Sequence, residues 1–264
     1  GDLRSSHVAI VSTVKAPFEV LRPWINYHRN VGIGQIFLFL DDPEDEALEP
    51  LESFDRVHAI PCTEEYWKSA SCERPEGLIA RQVVNVNHGI ALAEGMGCGW
   101  VAHIDSDELI RPLVSLDKLL SATNATALKM TVLEAVSEGL ECDSIFDAML
   151  FKKVPGRVQA IAARLLGCRR AFAYGEYFRG HAESKMLIRT DGTVARMGVH
   201  KPEETGEEVR LSETDDIQLL HFDCIGIADW DKKWRDRVGK PNAYYGMRPA
   251  RLRQRDAYEH AAAD

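Results

Sequence analysis

From His7 to Leu40 the chain reads strand, helix, strand, and that order constrains the fold more than any other feature of it. His7–Thr13 is apolar and β-branched. Pro17 then opens a stretch in which Phe18, Leu21, Trp24, Ile25, His28 and Val31 recur at helical spacing, closed by Gly32 and Gly34. Ile36–Leu40 is a second short apolar run and Arg56–Pro61 a third. A helix of this length between two such strands is a crossover. The strands therefore lie parallel in one sheet, and the fold class is α/β.

A fourth apolar run ends differently. Trp100–Ile104 follows Gly95, Gly97 and Gly99 and stops at three carboxylates, Asp105, Asp107 and Glu108. Open α/β sheets bind their ligands at the carboxyl ends of strands. Asp105 and Asp107 are two apart, so on a continuing strand both would share a face. Two hard oxygen anions on one face suit Mg²⁺ or Mn²⁺ carrying a diphosphate. Taken alone, the same residues also read as an acidic turn, with Ser106 and Asp107 as turn formers. Before this strand, Gly77–Glu94 reads as a helix. Leu78, Val83, Val84, Ile90 and Ala91 are inward, and Gln82, Asn85 and Gly89 gather on another face.

Further on, Ser115 caps a short helix over Leu116–Leu120, and Thr126–Val136 reads as a strand. Ala148–Val154 is a short strand, while Val158–Leu166 suits either a helix or a strand. Gly167–Gly180 carries Arg169, Arg170, Tyr174, Tyr177 and Phe178, as a loop facing a ligand would. Ser184–Thr190 and Thr193–Met197 flank Asp191-Gly192, which predicts a hairpin. Glu203–Glu208 is an acidic loop and Ile217–Phe222 a last strand. A helix over Ile225–Val238 and a basic tail helix around Arg248–Tyr258 come after it. With no repeat and no linker, one domain over residues 1–264 is expected.

Composition limits the partners. The net charge of −9 argues against nucleic acid, which demands a strong basic patch. The one concentrated basic stretch, Lys232 to Arg255, is interrupted by acids and reads as a solvated helix face, with peripheral contact to a membrane left open. The six cysteines (62, 72, 98, 142, 168 and 224) form no CxxC pair, which predicts reduced thiols in a cytoplasmic protein. No apolar run is long enough for a membrane span, and no signal peptide is expected.

Taken together, the ordered pieces resemble a known family. They are Val14-Lys15, Trp24-Ile25-x-Tyr27-His28 with Gly32, Ile36-Phe37-Leu38-x-Leu40-Asp41-Asp42, Gln82, and Trp100 followed by Asp105-x-Asp107-Glu108. This pattern, over roughly residues 8–112, resembles the family 2-like and family 92 glycosyltransferases. Gly180, Lys185 and Ile188 followed by Gly198-Val199-His200 resemble a later family 92 segment, and Leu219-Leu220-His221-Phe222 a segment near the end of several such enzymes. The pattern departs in two places. Ala16-Pro17 stand where the family has Asn-Glu, and Asp41-Asp42-Pro43-Glu44-Asp45 lacks the family's serine.

The resemblance implies a single Rossmann-like glycosyltransferase A domain with a mixed, mainly parallel central sheet. Residues 7–112 would form the nucleotide-sugar half, 113–240 the acceptor side and 241–264 a helical tail. It implies Mn²⁺ or Mg²⁺, held by Asp105, Asp107 and His221, with His200 as the rival third ligand. The donor, a UDP-sugar, would meet Thr13, Lys15, Asp41, Asp42, Gln82, Asp105 and Lys185. Glu108 would orient a ligand or Arg111, and Asp223 would orient His221. An inverting reaction needs a carboxylate to deprotonate the acceptor hydroxyl, for which Glu183 and Glu176 are the candidates, with Glu134 behind them. His28, Trp24 and Tyr27 read as packing.

The expected activity is transfer of a hexose from a nucleotide sugar to a glycan or lipid-linked saccharide, in the cytoplasm or at the inner membrane face. Two alternatives stand beside it. A nucleotidyltransferase also uses paired carboxylates on such a sheet, but it usually carries a glycine-rich phosphate loop, and Val11–Pro17 is not one. A catalytically silent glycan- or nucleotide-binding module would not need the acidic pair.

Overall fold

The computed structural model describes residues 7–70, 72–167, 183–205, 209–238 and 249–261. Eleven strands and eight helices alternate along them. The first part runs β1 Val8–Val14, α1 Phe18–Asn30, β2 Gln35–Leu40, α2 Leu48–Glu52, β3 Val57–Pro61, α3 Glu64–Ser69, α4 Leu78–Gly95, β4 Trp100–His103 and β5 Glu108–Pro112. Then come α5 Leu116–Ala122, β6 Ala127–Ala135, β7 Phe151–Lys153, α6 Arg157–Leu165, β8 Met186–Arg189, β9 Val194–Met197, β10 Pro202–Thr205, β11 Leu211–His221, α7 Ile227–Val238 and α8 Pro249–Ala261. The chain gathers into two compact units, Gly1–Thr131 with Glu183–Leu219, and Val132–Ala182 with Leu220–Asp264. Residues 183–219 thus complete the first unit, well beyond residue 112.

The first unit holds the sheet, in the order β3-β2-β1-β4-β8-β6-β11-β5. β3, β2, β1 and β4 are parallel, and β8 joins antiparallel to both β4 and β6. This is the mixed α/β sheet that the alternation of strands and helices predicts. β1 is buried along its whole length and β2 along nearly all of it. Such strands read as continuous apolar runs because helices cover both faces. In the second unit β7 pairs with the end of β6, and Phe222 meets Phe146 and Phe151 edge to face. No helix among the described residues is long and apolar enough to cross a membrane. Cys62, Cys72, Cys98, Cys142 and Cys224 are free thiols.

The structure differs from the expected hairpin at Asp191-Gly192. Gly192 does turn, with φ +81°, and the Asp191 carboxylate caps the turn by accepting from the Thr193 N–H. However, β8 has both edges occupied by β4 and β6, so β9 pairs with β10 instead. Local turn chemistry fixed the bend, and competition for strand edges fixed the pairing. The same pairing turns part of the expected acidic loop, Pro202–Thr205, into β10. The ambiguous stretch at 158–166 is helix α6.

Helices α4 and α1 are each seated on the sheet by a specific contact. α4 lies against it through Gly89, where a Cβ would come within 2.5 Å of Val11 Cγ2 and 3.2 Å of Phe39 Cε2. α1 reaches β5 through its motif residues. Trp24 Nε1 donates to the Glu108 carbonyl at 2.7 Å. His28 Nδ1 donates to the Trp24 carbonyl at 2.9 Å, and its Nε2 accepts from the Ile110 N–H at 3.1 Å. Burial drives the His28 pKa down to about 3, so the ring is neutral and both nitrogens are used.

Substitutions at Gly89 and His28 probe these two contacts. Gly89→Ala gains helix propensity of about 1 kcal/mol, but overpacking against Val11 costs about 1–3 kcal/mol. Its Tm falls, while that of Gly95→Ala, with open space at its Cβ, does not. His28 has a depressed pKa when folded, so below the unfolded value of 6.5 only the unfolded chain takes up this proton. Stability therefore falls as pH drops from 6.5 towards about 3, by up to about 1.4 kcal/mol per pH unit. Urea titrations of His28→Gln against pH should show a shallower slope by that one-proton share.

Candidate active site

The acidic motif closes on itself. The Asp105 N–H donates to Glu108 Oε2 at 2.8 Å, and the Glu108 N–H donates to the Asp105 carbonyl at 3.1 Å. Glu108 is buried and orients the turn's backbone, whereas Arg111, its expected partner, donates through Nε to Gln218 at 2.9 Å. Trp24 and His28 clamp the next residues of the same segment from α1. A turn reciprocally bonded and held from a neighbouring helix presents Asp105 and Asp107 in one fixed geometry.

The Asp105 carboxylate is engaged by α4 and by the chain just before β8. Its Oδ1 accepts from Gln82 Nε2 at 2.9 Å, and its Oδ2 lies 3.1 Å from Lys185 Nζ. Strand register makes the second contact. β8 runs antiparallel to β4 with Ala102 opposite Leu187, so Lys185, just before β8, arrives beside the end of β4. The Lys185 side chain is 1% exposed and that of Asp105 35%. Burial pulls the Lys185 pKa down, but the negative charges of Glu108, Asp105 and Asp107 outweigh it and the pKa is raised. Lys185 is therefore a permanent buried cation.

Two further networks bracket this one. At the end of β2, Asp41 is held by Arg81, with Nε to Oδ1 at 2.6 Å and a terminal nitrogen to Oδ2 at 2.9 Å. Arg74 adds a bond to the Asp41 carbonyl at 3.1 Å. A two-pronged guanidinium–carboxylate pair of this kind fixes both groups. Sequence reasoning missed Arg81 and Arg74. Arg81 sits one turn before Asn85 on α4, and that spacing was the available signal. At the end of β1, Thr13 Oγ1 accepts from Asn85 Nδ2 at 3.0 Å, and Tyr66 donates to Asn85 Oδ1 at 2.6 Å. Lys15 Nζ lies 3.7 Å from Asp42 Oδ2 at the surface. Asp42 also accepts from the Glu44 N–H at 3.2 Å, as a turn cap does.

Lys15, Asp42, Cys62, Trp67, Lys68 and Arg74 line a cavity of about 700 Å³ at the carboxyl ends of β1, β2 and β3. That volume is of the size that holds a small molecule. Strand order reverses between β1 and β4, so Lys15 and Asp105 flank the crevice where doubly wound sheets take ligands.

The remaining candidates are Glu183, His200, Glu176, Glu134 and His221. Glu183 Oε2 is 3.9 Å from His200 Nε2. Burial, then the charge of Lys185, lowers the His200 pKa, with Glu183 opposing. Glu176 lies outside the described residues. Glu134 is buried in the second unit and paired with Lys152 at 2.8 Å. His221 ends β11 in the same unit, where Asp223, its expected orienting partner, accepts from Lys233.

A divalent cation suits the acidic motif. Among the described residues no three His, Cys, Asp or Glu side chains converge as a closed metal site. Mg²⁺-type sites, however, need only one or two carboxylates when phosphate oxygens supply the other ligands. Asp105, Asp107 and Glu108 supply hard carboxylate oxygens of the kind that Mg²⁺ and Mn²⁺ take.

Two known proteins resemble this chain in sequence. No family model matches the chain. It is 25% identical over 265 residues to one glycosyltransferase-like protein of Arabidopsis thaliana and 24% identical over 266 residues to a second. Each alignment covers 88% of this chain, against 50% and 56% of the relatives, so the chain spans about half the length of the curated relatives it matches. A crystal structure of GalNAc-T7 with UDP, GalNAc and Mn²⁺ aligns with 98% of this chain and 55% of that one, at a TM-score of 0.44 and 14% identity. The chain is thus similar to glycosyltransferase-like proteins.

Proposed function

We propose that this chain is a glycosyltransferase A domain that transfers a hexose from a nucleotide sugar, with a UDP-sugar as the donor class, to a glycan or lipid-linked saccharide. The observation that carries the reading is the clamped acidic turn at the end of β4. Asp105 is pinned by Gln82 and buried Lys185, beside a cavity at the ends of the neighbouring parallel strands. The similarity to glycosyltransferase-like proteins supports it.

In this reading the nucleoside enters the cavity at β1–β3. Asp41 is committed to Arg81 and shapes the floor, while Asp42, at the surface, accepts from the base or ribose. Lys15 and Lys185 balance the diphosphate. Asp107, with Asp105, would hold Mn²⁺ or Mg²⁺, which when bound supplies a Lewis acid to the departing diphosphate. Asp105 keeps its orientation through Gln82 and Lys185, so no reorganisation is needed as charge develops. For an inverting reaction, Glu183 accepts the acceptor hydroxyl proton.

Incubation with a panel of nucleotide sugars, Mn²⁺ and crude glycan acceptors should release UDP, and EDTA should stop the release without lowering Tm. Absence of nucleotide release from every donor would contradict the proposal. Two variants separate chemistry from structure. Asp107→Ala should keep its Tm and lose turnover by about a hundredfold or more, the scale of removing one preorganised electrostatic group. Lys185→Met should lower stability by about 1–3 kcal/mol, because Asp105 loses its cation but still reaches solvent.

A further inference from the structure

Helix α6, in the second unit, is built the wrong way round for a helix that only serves its own core. A surface helix normally turns its large apolar residues inward. Here the buried residue is Ala163, 5% exposed, while Val158, Ile161 and Leu165 are 80%, 59% and 82% exposed. Their spacing, three and then four residues, puts them on one outward stripe. Arg157 and Arg164, seven apart, run along one flank of it. Just before β7, Met149 and Leu150 are exposed as well.

The described residues 148–167 contain no aspartate or glutamate but do contain Lys152, Lys153, Arg157 and Arg164, in a chain whose net charge is −9. Lys152 is paired with Glu134. An outward apolar stripe flanked by arginines is the pattern of a helix that lies in a membrane interface, apolar side chains among the acyl chains and cations among anionic headgroups. A second copy is disfavoured as the occupant. A self-complementary interface would set the same acid-free, arginine-flanked face against itself, like charge against like.

We infer that α6, Arg157–Leu165, is a docking surface for an anionic lipid bilayer, with Val158, Ile161 and Leu165 entering the interface and Arg157 and Arg164 meeting the headgroups. The expected basic contact was the Lys232 to Arg255 stretch, which acids interrupt; the acid-free segment carries the surface instead.

Co-sedimentation with vesicles tests this. The chain should pellet with phosphatidylcholine vesicles that contain phosphatidylserine, less so as salt rises, and not with phosphatidylcholine alone. Ile161→Glu with Leu165→Glu should abolish pelleting with little change in Tm, since both side chains are mostly exposed. Arg157→Gln with Arg164→Gln should weaken binding about fivefold per arginine removed. Failure to pellet with either vesicle would overturn the inference, as would equal binding to both or binding indifferent to the glutamate variants. Light scattering covers the rival occupant. A dimer that the glutamate variants dissociate, with no vesicle binding, would make the stripe an interface between copies.

Discussion

The ion pair between Asp105 and Lys185 is the contact on which the site depends. A carboxylate at the carboxyl end of a buried strand swings freely unless its oxygens are engaged. Here one meets an amide and the other an ammonium that the surrounding side chains have desolvated. Burying a lysine without a partner is expensive, so Lys185 needs a carboxylate beside it. Its existence follows from topology. β8 enters the sheet antiparallel between β4 and β6, and only that insertion delivers Lys185 to the end of β4.

The rest of the first unit supports that arrangement. α4 supplies Arg81, Gln82 and Asn85, one to each of the ends of β2, β4 and β1. Gly89 lets the same helix settle directly on Val11, so these side chains arrive at strand ends instead of at solvent. α1 contributes as well, with Trp24 and His28 bonding the backbone of the segment that carries Glu108 and Ile110. The paired motifs of the sequence, tryptophan and histidine in one and the acidic triplet in the other, are therefore two sides of one clamp.

How much of this was legible in the sequence depends on the range of the interaction. The parallel strands and their helices were, because burial on both faces writes itself as apolar runs and helical spacing. Asp105 was legible because it ends such a run. Its pairing with Lys185 was not, since the two are brought together by a strand insertion that no local pattern encodes. Arg81 was missed for a similar reason, as its partner Asp41 lies 40 residues away at the end of β2. The hairpin at Asp191-Gly192 shows the converse. A correct local turn signal predicted the wrong partner because β8 was already paired on both edges. The exposed stripe on α6 had an ambiguous pattern, apolar at helical spacing but with no core to face.

A crystal structure with UDP and Mn²⁺ tests the central claim most directly. The diphosphate and the cation should lie at the end of β4 against Asp107, with Lys185 still on Asp105 and the uridine in the cavity beside Asp42. A nucleotide bound away from the carboxyl ends of β1 and β4, or a cation held without Asp105 and Asp107, would contradict it.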